Sequence, residues 1–282
     1  MKKAKSIDTG RSGATRLSGR ALAALLAAAI AWFCAAPSLA QDYPVKPVRM
    51  VVNFPPGGVA DQIGRVLGVH LQRALGQPFV VENRAGGNGN IGAAEVAKAP
   101  ADGYTLLLSP SGVITVNGLL YRKLPFDPMK DLEPVASQAI VAVFLVVKPA
   151  LADLLGGQLD FMFDPGVALP HIRSGKLRLL AVGSPKRHAA FPDTPTVSEV
   201  IGEEFDAGTL FGVLVPAGTP KAVTVRLNAE IARIMQTSEM TQRIAALGAE
   251  PLYLAPAAYA ARLRGINANM AVLVRETGMK AE

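Results

Sequence analysis

The stretch Val48-Arg49-Met50-Val51-Val52, running into Asn53-Phe54-Pro55-Pro56-Gly57-Gly58-Val59-Ala60-Asp61, restricts the fold more than any other part of the chain. The first five residues are almost continuously apolar, the pattern of a strand buried on both faces of a parallel sheet. After the glycines, Ile63, Val66, Leu67, Leu71 and Leu75 recur at helical spacing, and Gly76-Gln77-Pro78 supplies a stop. The unit then repeats. Phe79-Val80-Val81-Glu82 reads as a strand, Asn83 to Gly92 as a glycine-asparagine loop, and Ala93 to Ala99 as a short helix before Pro100. Tyr104 to Leu108 is a third strand, ending in Ser109-Pro110-Ser111-Gly112. Strands alternating with helices imply an α/β chain with a parallel-rich sheet and right-handed crossovers.

In such sheets ligands sit beyond the carboxyl ends of the strands. Both Gly57-Gly58 and Ser109 to Ser111 fall at such ends. Glycine lets a ligand come close to the backbone, and the free N–H groups and positive dipole end of the following helix favour an anion. Phe54, Gly57, Gly58, Val59, Ala60 and Asp61, with Ser109 and Ser111 beside them, are therefore the candidates for holding a small carboxylate. Asp61 has two readings. With Gly58 as N-cap it is the third helical residue, where an acid reaches back to the N-cap N–H. Alternatively it orients a water or meets an amino group on the ligand; a bare carboxylate would be repelled.

Gly87 to Gly92 spell G-x-G-x-x-G between a strand and a helix, which resembles a dinucleotide fingerprint. The acidic residue expected about 20 positions on is absent, since Ser109 to Gly112 stand there. The competing reading is a turn built of residues that tolerate left-handed backbone.

Net charge bears on partners. Of the chain's net +7, residues 1–40 supply +5, which leaves 23 basic and 21 acidic side chains elsewhere and no basic run. A nucleic-acid footprint is not supported. Residues 1–40 themselves read as a signal peptide: basic to Arg20, apolar from Ala21 to Phe33, then Ser38-Leu39-Ala40 with cleavage expected after Ala40. A lipid anchor on Cys34 and a retained N-terminal anchor are the alternatives; the bulky Trp32-Phe33 argues against the first. Cleavage leaves a periplasmic chain without cysteine or tryptophan, held by its core and not by disulfides.

Further along, Leu119 to Val135 reads as a turn-rich connector, because Pro125, Pro128 and Pro134 exclude a long helix. Ile140 to Val147 is an apolar strand, and Leu151 to Leu155 a short helix. The strand Leu159 to Phe163 ends at Asp164, the binding candidate in this half of the chain. Ala168 to Ser174 is helix-like, Leu177 to Val182 and Phe211 to Val215 are strands, and Ala222 to Met235, Met240 to Leu247 and Ala257 to Thr277 are helices. For an enzyme the sequence offers little. His70, His171 and His188 are scattered without metal-ligand spacing, and no G-x-S-x-G elbow occurs. No catalytic residue, metal or cofactor is expected.

Several stretches together resemble one family: Phe54-Pro55-Pro56-Gly57-Gly58 with Asp61, Val81-Glu82-Asn83-Arg84 leading to Gly89-Asn90-Ile91-Gly92, Asp102-Gly103-Tyr104-Thr105-Leu106, Leu124-Pro125-Phe126-Asp127-Pro128, Leu154-Leu155-Gly156-Gly157-Gln158 with Asp160, Pro192-Asp193 with Pro195-Thr196, and Pro216-Ala217-Gly218-Thr219-Pro220. In this order they resemble the periplasmic receptors of tripartite tricarboxylate transporters, the Bordetella uptake gene family. The resemblance implies a two-lobed, type II periplasmic-binding fold that closes on a small carboxylate and delivers it to the membrane subunits of such a transporter. It implies lobe 1 at residues 41–145 completed by 212–282, and lobe 2 at 146–211. It also implies a gap. The family carries a helix, a strand and a serine-glycine loop after the crossover strand, whereas here Val147-Lys148-Pro149-Ala150 runs straight into Leu151-Ala152-Asp153. The second lobe is thus expected to be truncated. Two other functions stay open: a truncated paralogue with weak or no binding, and a secreted enzyme acting on a small acid with a nucleotide cofactor.

Overall fold

The computed structural model describes residues 43–147, 161–164 and 168–280. The helix expected at Leu151 to Leu155 and the start of the strand at Leu159 lie outside the described residues, as does the expected leader. Among the described residues no helix is long and apolar enough to cross a membrane.

The chain opens as its sequence pattern requires. Strand β1 (Val48–Val52) is followed by helix α1 (Val59–Leu75), β2 (Phe79–Asn83), a 3-10 turn at Gly87–Gly89, α2 (Asn90–Ala97) and β3 (Thr105–Pro110). β1 pairs in parallel with β2 on one side and with β3 on the other. Two short helices, α3 (Ser111–Thr115) and α4 (Asn117–Leu120), lead to β4 (Leu132–Val141), β5 (Phe144–Val147) and β6 (Phe161–Asp164). Then come α5 (Leu169–Arg173), β7 (Arg178–Val182), α6 (Val197–Ile201), β8 (Thr209–Pro216), α7 (Lys221–Ile234), α8 (Ser238–Ala246), β9 (Ala249–Pro251) and α9 (Pro256–Thr277).

The strands form two sheets, one of six in the order β2-β1-β3-β8-β4-β9 and one of three in the order β6-β5-β7. Successive side chains of a strand point to opposite faces, and the large sheet is buried on both. Met50, Val52, Leu106, Leu108, Val213 and Val215 pack against Ile63, Leu67 and Leu71 of α1 and Leu227 and Ile231 of α7. Val51, Leu107 and Leu214 face the other way, toward Ala93 and Val96 of α2 and Tyr259 and Leu263 of α9. Each such side chain contributes about 1.5–3 kcal/mol on burial, which explains why these strands read as unbroken apolar runs.

Three expectations need correction. The parallel character is confined to β2-β1-β3; β8 runs antiparallel to β3 and to β4, β9 antiparallel to β4, and the small sheet is antiparallel throughout. The reason is topological: β8 re-enters the large sheet from the small one and so arrives from the opposite end. The connector read at Leu119 to Val135 takes in the end of α4 and the start of the ten-residue strand β4. Pro134 is tolerated there because the register shifts between Pro134 and Ala136, a bulge that spares a ladder donor. Finally, the single strand expected from Ile140 to Val147 is two. The chain leaves one sheet at Val141 and joins the other at Phe144, so Ala142-Val143 is a crossover. The return crossing, Ala207-Gly208, lies against it: Ala207 N–H donates to Gly183 O at 2.9 Å, and Gly183 N–H to Val143 O at 2.7 Å.

Candidate functional site

The ends of β1 and β3 are neighbours, with Val52 opposite Leu108 in the register. The chain therefore brings Phe54 to Asp61 and Ser109 to Ser111 together. Pro55, Pro56, Gly57 and Gly58 are exposed, while Ala60, Asp61, Ser109 and Ser111 are buried beneath them. Gly57 sits at φ 84°, a left-handed turn that favours glycine. Gly58 is the N-cap of α1 in extended conformation, and no side chain caps it. The first backbone bond of the helix is Gln62 N–H to Gly58 O at 3.0 Å, so the N–H groups of the turn before it have no intrahelical partner. This is a surface that can accept an anion.

The loop is fixed from behind. The Asp61 carboxylate reaches past the N-cap and accepts from Gly57 N–H at 2.9 Å, one residue earlier than the capping-box expectation. The same oxygen accepts from Arg65 Nε at 3.0 Å, and Arg65 Nη2 lies 2.9 Å from the other. Burial pushes the Asp61 carboxyl upward, but Arg65, the Gly57 N–H and the Asn83 amide outweigh it and hold the group below the usual carboxylate range. Asn83, at the end of β2, donates to Phe54 O at 3.1 Å and accepts from Arg65 Nη2 at 3.2 Å. Gln62 Nε2 donates to Gly57 O at 2.9 Å.

Under the loop stands Asn53, fully buried. Its amide donates to Ser109 Oγ at 3.0 Å and to Gly89 O at 3.1 Å. Ser109 Oγ donates onward to Pro110 O, and Ser111 Oγ accepts from Leu210 N–H at 3.2 Å. The two serines thus tie β3 to β1 and β8. The G-x-G-x-x-G stretch belongs to this support. Gly87, Asn88 and Gly89 all have positive φ, and a Cβ on Gly92 would stand 2.7 Å from Arg84 O and 2.8 Å from Asn53 Cβ. Asn117 Nδ2 holds the stretch through Asn90 Oδ1 at 2.7 Å and Asn88 O at 3.0 Å. These glycines serve a left-handed turn and close packing.

Asp164 stands elsewhere, at the end of β6 in the three-stranded sheet, where Oδ1 accepts from Ala168 N–H at 2.7 Å. Arg65, Asn83 and Asn53 are the members that reading the sequence missed. The Asp61–Arg65 spacing of i, i+4 was a usable signal; the long-range partners Asn53 and Asn83 had none. Among the described residues, no group of three or more His, Cys, Asp or Glu could hold a metal ion.

A two-sheet α/β protein with a glycine turn at a helix start, backed by a buried polar frame, has the parts that binding a small anion requires. The chain matches the family model of the tripartite tricarboxylate transporter family receptor over residues 63–152 and again over 148–278. It is 36% identical over 310 residues to the protein BugT of Bordetella pertussis, covering 87% of this chain and 94% of BugT. An R. palustris protein solved with adipate superposes with TM-score 0.76 at 26% identity, covering 85% of this chain and 99% of the other. MatC from Rhodopseudomonas palustris with bound malate gives 0.73 at 27% identity, covering 82% and 100%. The chain belongs to the tripartite tricarboxylate transporter receptor family, with the two-lobed periplasmic-binding fold of its solved neighbours.

Proposed function

We propose that this receptor binds a small carboxylate at the loop Phe54 to Asp61 and presents it to the membrane subunits of a tripartite tricarboxylate-type transporter, after export and removal of residues 1–40. The observation that carries the reading is the uncapped start of α1, an exposed backbone surface at the carboxyl end of a parallel strand. Adipate and malate in the two related structures support the ligand class.

Gly58→Val tests it. Gly58 is already in extended backbone, and a Cβ there meets only Pro55 O at 3.6 Å. The variant therefore folds with stability within about 1 kcal/mol of the parent, while its isopropyl group covers the helix start. In calorimetric titration with malate and adipate, binding by the parent and none by the variant is expected. Equal affinity in both would move the site elsewhere. For export, the intact mass of protein recovered from the periplasm is expected to begin at Gln41; a mass that includes the first forty residues would contradict cleavage.

A second reading, a paralogue with weakened binding, has its own support. The two stretches matched to the family meet at residues 148–152, and the 310 positions aligned with BugT exceed the 282 residues of this chain. We read that junction as the place where one strand–helix–loop unit, with its share of the carboxylate grip, is missing. The same titration measures the consequence.

A further inference from the structure

Resting on the reading above, we infer that Arg65 and Asn83 are positioning residues that make the binding loop hospitable to an anion by cancelling and aiming Asp61. A buried acid three residues into the helix that should receive a carboxylate is an electrostatic obstacle. Asp61 is 3% exposed and lies directly beneath Gly57 and Gly58. Left unpaired, it would place a negative charge behind the very N–H groups that are to meet another. The structure answers with a closed ring. Arg65 contacts both carboxylate oxygens of Asp61 through Nε and Nη2, and the same Nη2 reaches Asn83 Oδ1, while the Asn83 amide in turn holds Phe54 O. Gly57 N–H closes the ring by donating to Asp61.

Two consequences follow from the geometry. The Asp61 charge is balanced by the Arg65 guanidinium, which contacts both of its oxygens, so the helix start keeps its positive character. The loop is also held at both ends, Phe54 through its carbonyl and Gly57 through its amide, so its conformation does not wait for the ligand. Arg65 itself is accessible, with its side chain 54% exposed, and nothing in the core depends on it. Its place is explained by the ring alone.

The ring makes a prediction about charge that a merely structural clamp does not. Arg65→Gln restores the unbalanced acid. Malate, whose carboxylates have no cation beside them, is expected to lose about tenfold in affinity. Aspartate, the same skeleton with an ammonium in place of the hydroxyl, loses less, so the malate-to-aspartate affinity ratio falls severalfold. Asp61→Asn added to Arg65→Gln removes the charge again while keeping an acceptor for Gly57 N–H, and malate affinity returns to within about threefold of the parent. Asn83→Ala, which loosens the loop without altering charge, weakens both acids equally.

Isothermal titration of the parent and the three variants with malate, adipate and aspartate decides the matter, with melting temperatures recorded alongside. A double variant as weak as or weaker than Arg65→Gln, or an unchanged malate-to-aspartate ratio in Arg65→Gln, overturns the inference while leaving the receptor reading intact. A parent that binds none of the three acids overturns the receptor reading, and this inference with it.

Discussion

The two sheets of this receptor are built from the same kinds of residues but to different standards. The six-stranded sheet has a helical layer on both faces, and its central strands β1, β3 and β8 are almost wholly buried. Among the described residues, the apolar core of the three-stranded sheet lies on one face, where Phe144, Val146 and Val182 pack with Leu169 and Leu177. Its other face carries Phe161 at 60% exposure, Phe163 at 45% and Leu180 at 39%. Leu145 lies opposite Phe163 and Val147 opposite Phe161, so these four share that face. Phe163 stacks on Phe205 at 5.9 Å between ring centroids. The difference teaches where function can survive alone. The loop Phe54 to Asp61, with its frame of Asn53, Asp61, Arg65, Asn83 and Ser109, is assembled entirely within the large sheet. On the reading proposed above, a shortened small sheet would remove counterpart contacts to a ligand and leave that half of the site standing.

The largest effect expected from this contrast is in local stability. A sheet with one covered face buries about half the apolar area per strand of a sheet with two, so it opens sub-globally while the large sheet stays closed. Backbone amides of β5, β6 and β7 are expected to exchange at least a hundredfold faster than those of β1, β3 and β8 in native-state hydrogen exchange. Phe144→Ala sharpens the test. Phe144 is fully buried in the small core against His188 and Phe191, and its removal costs about 3–5 kcal/mol. That loss should fall on the small sheet and leave protection of β1 and β3 unchanged. Uniform protection across both sheets, or a uniform loss in Phe144→Ala, would break the comparison and make the two sheets one cooperative unit.

The same contrast explains what could be read from the sequence. The strand–turn–helix units over residues 48–110 were legible because full burial writes continuous apolar runs and glycine writes the turns between them. The crossover at Ala142-Val143 was not, since Ile140 to Val147 is apolar throughout and nothing local marks a change of sheet. β4 was hidden by Pro134, which a bulge accommodates, and β9 by its length of three residues. At the site, Gly57, Gly58 and Asp61 were visible as a helix-start signature. Their supports were not, because Asn83 meets Phe54 O across 29 positions of sequence and Asn53 meets Ser109 across 56. A pattern along the chain records local geometry; partners that meet only through the sheet leave no spacing to read.

The smallest effect isolates the two sheets by using one chemical change in each. Thr196 caps α6 beside the small sheet: its hydroxyl accepts from Glu199 N–H at 3.1 Å, and the Glu199 carboxylate accepts from Thr196 N–H at 3.2 Å, a complete capping box. Thr237 caps α8 on the large sheet and accepts from Met240 N–H at 3.3 Å. Replacing either threonine by alanine removes one acceptor for an N–H at a helix start, at a cost of about 1 kcal/mol. The costs are alike, but their destinations differ. If the small sheet opens independently, Thr196→Ala speeds exchange of β7 about fivefold and leaves the global melting temperature almost unmoved. Thr237→Ala acts the other way, lowering the global melting temperature by about 2–4 °C while exchange in β7 stays as it was. β7 is the right reporter because Val182 N–H donates to Pro195 O at 2.9 Å, so the capped segment and the strand are joined. Equal shifts of the melting temperature by the two variants would show that the second sheet, for all its bare face, unfolds only with the first.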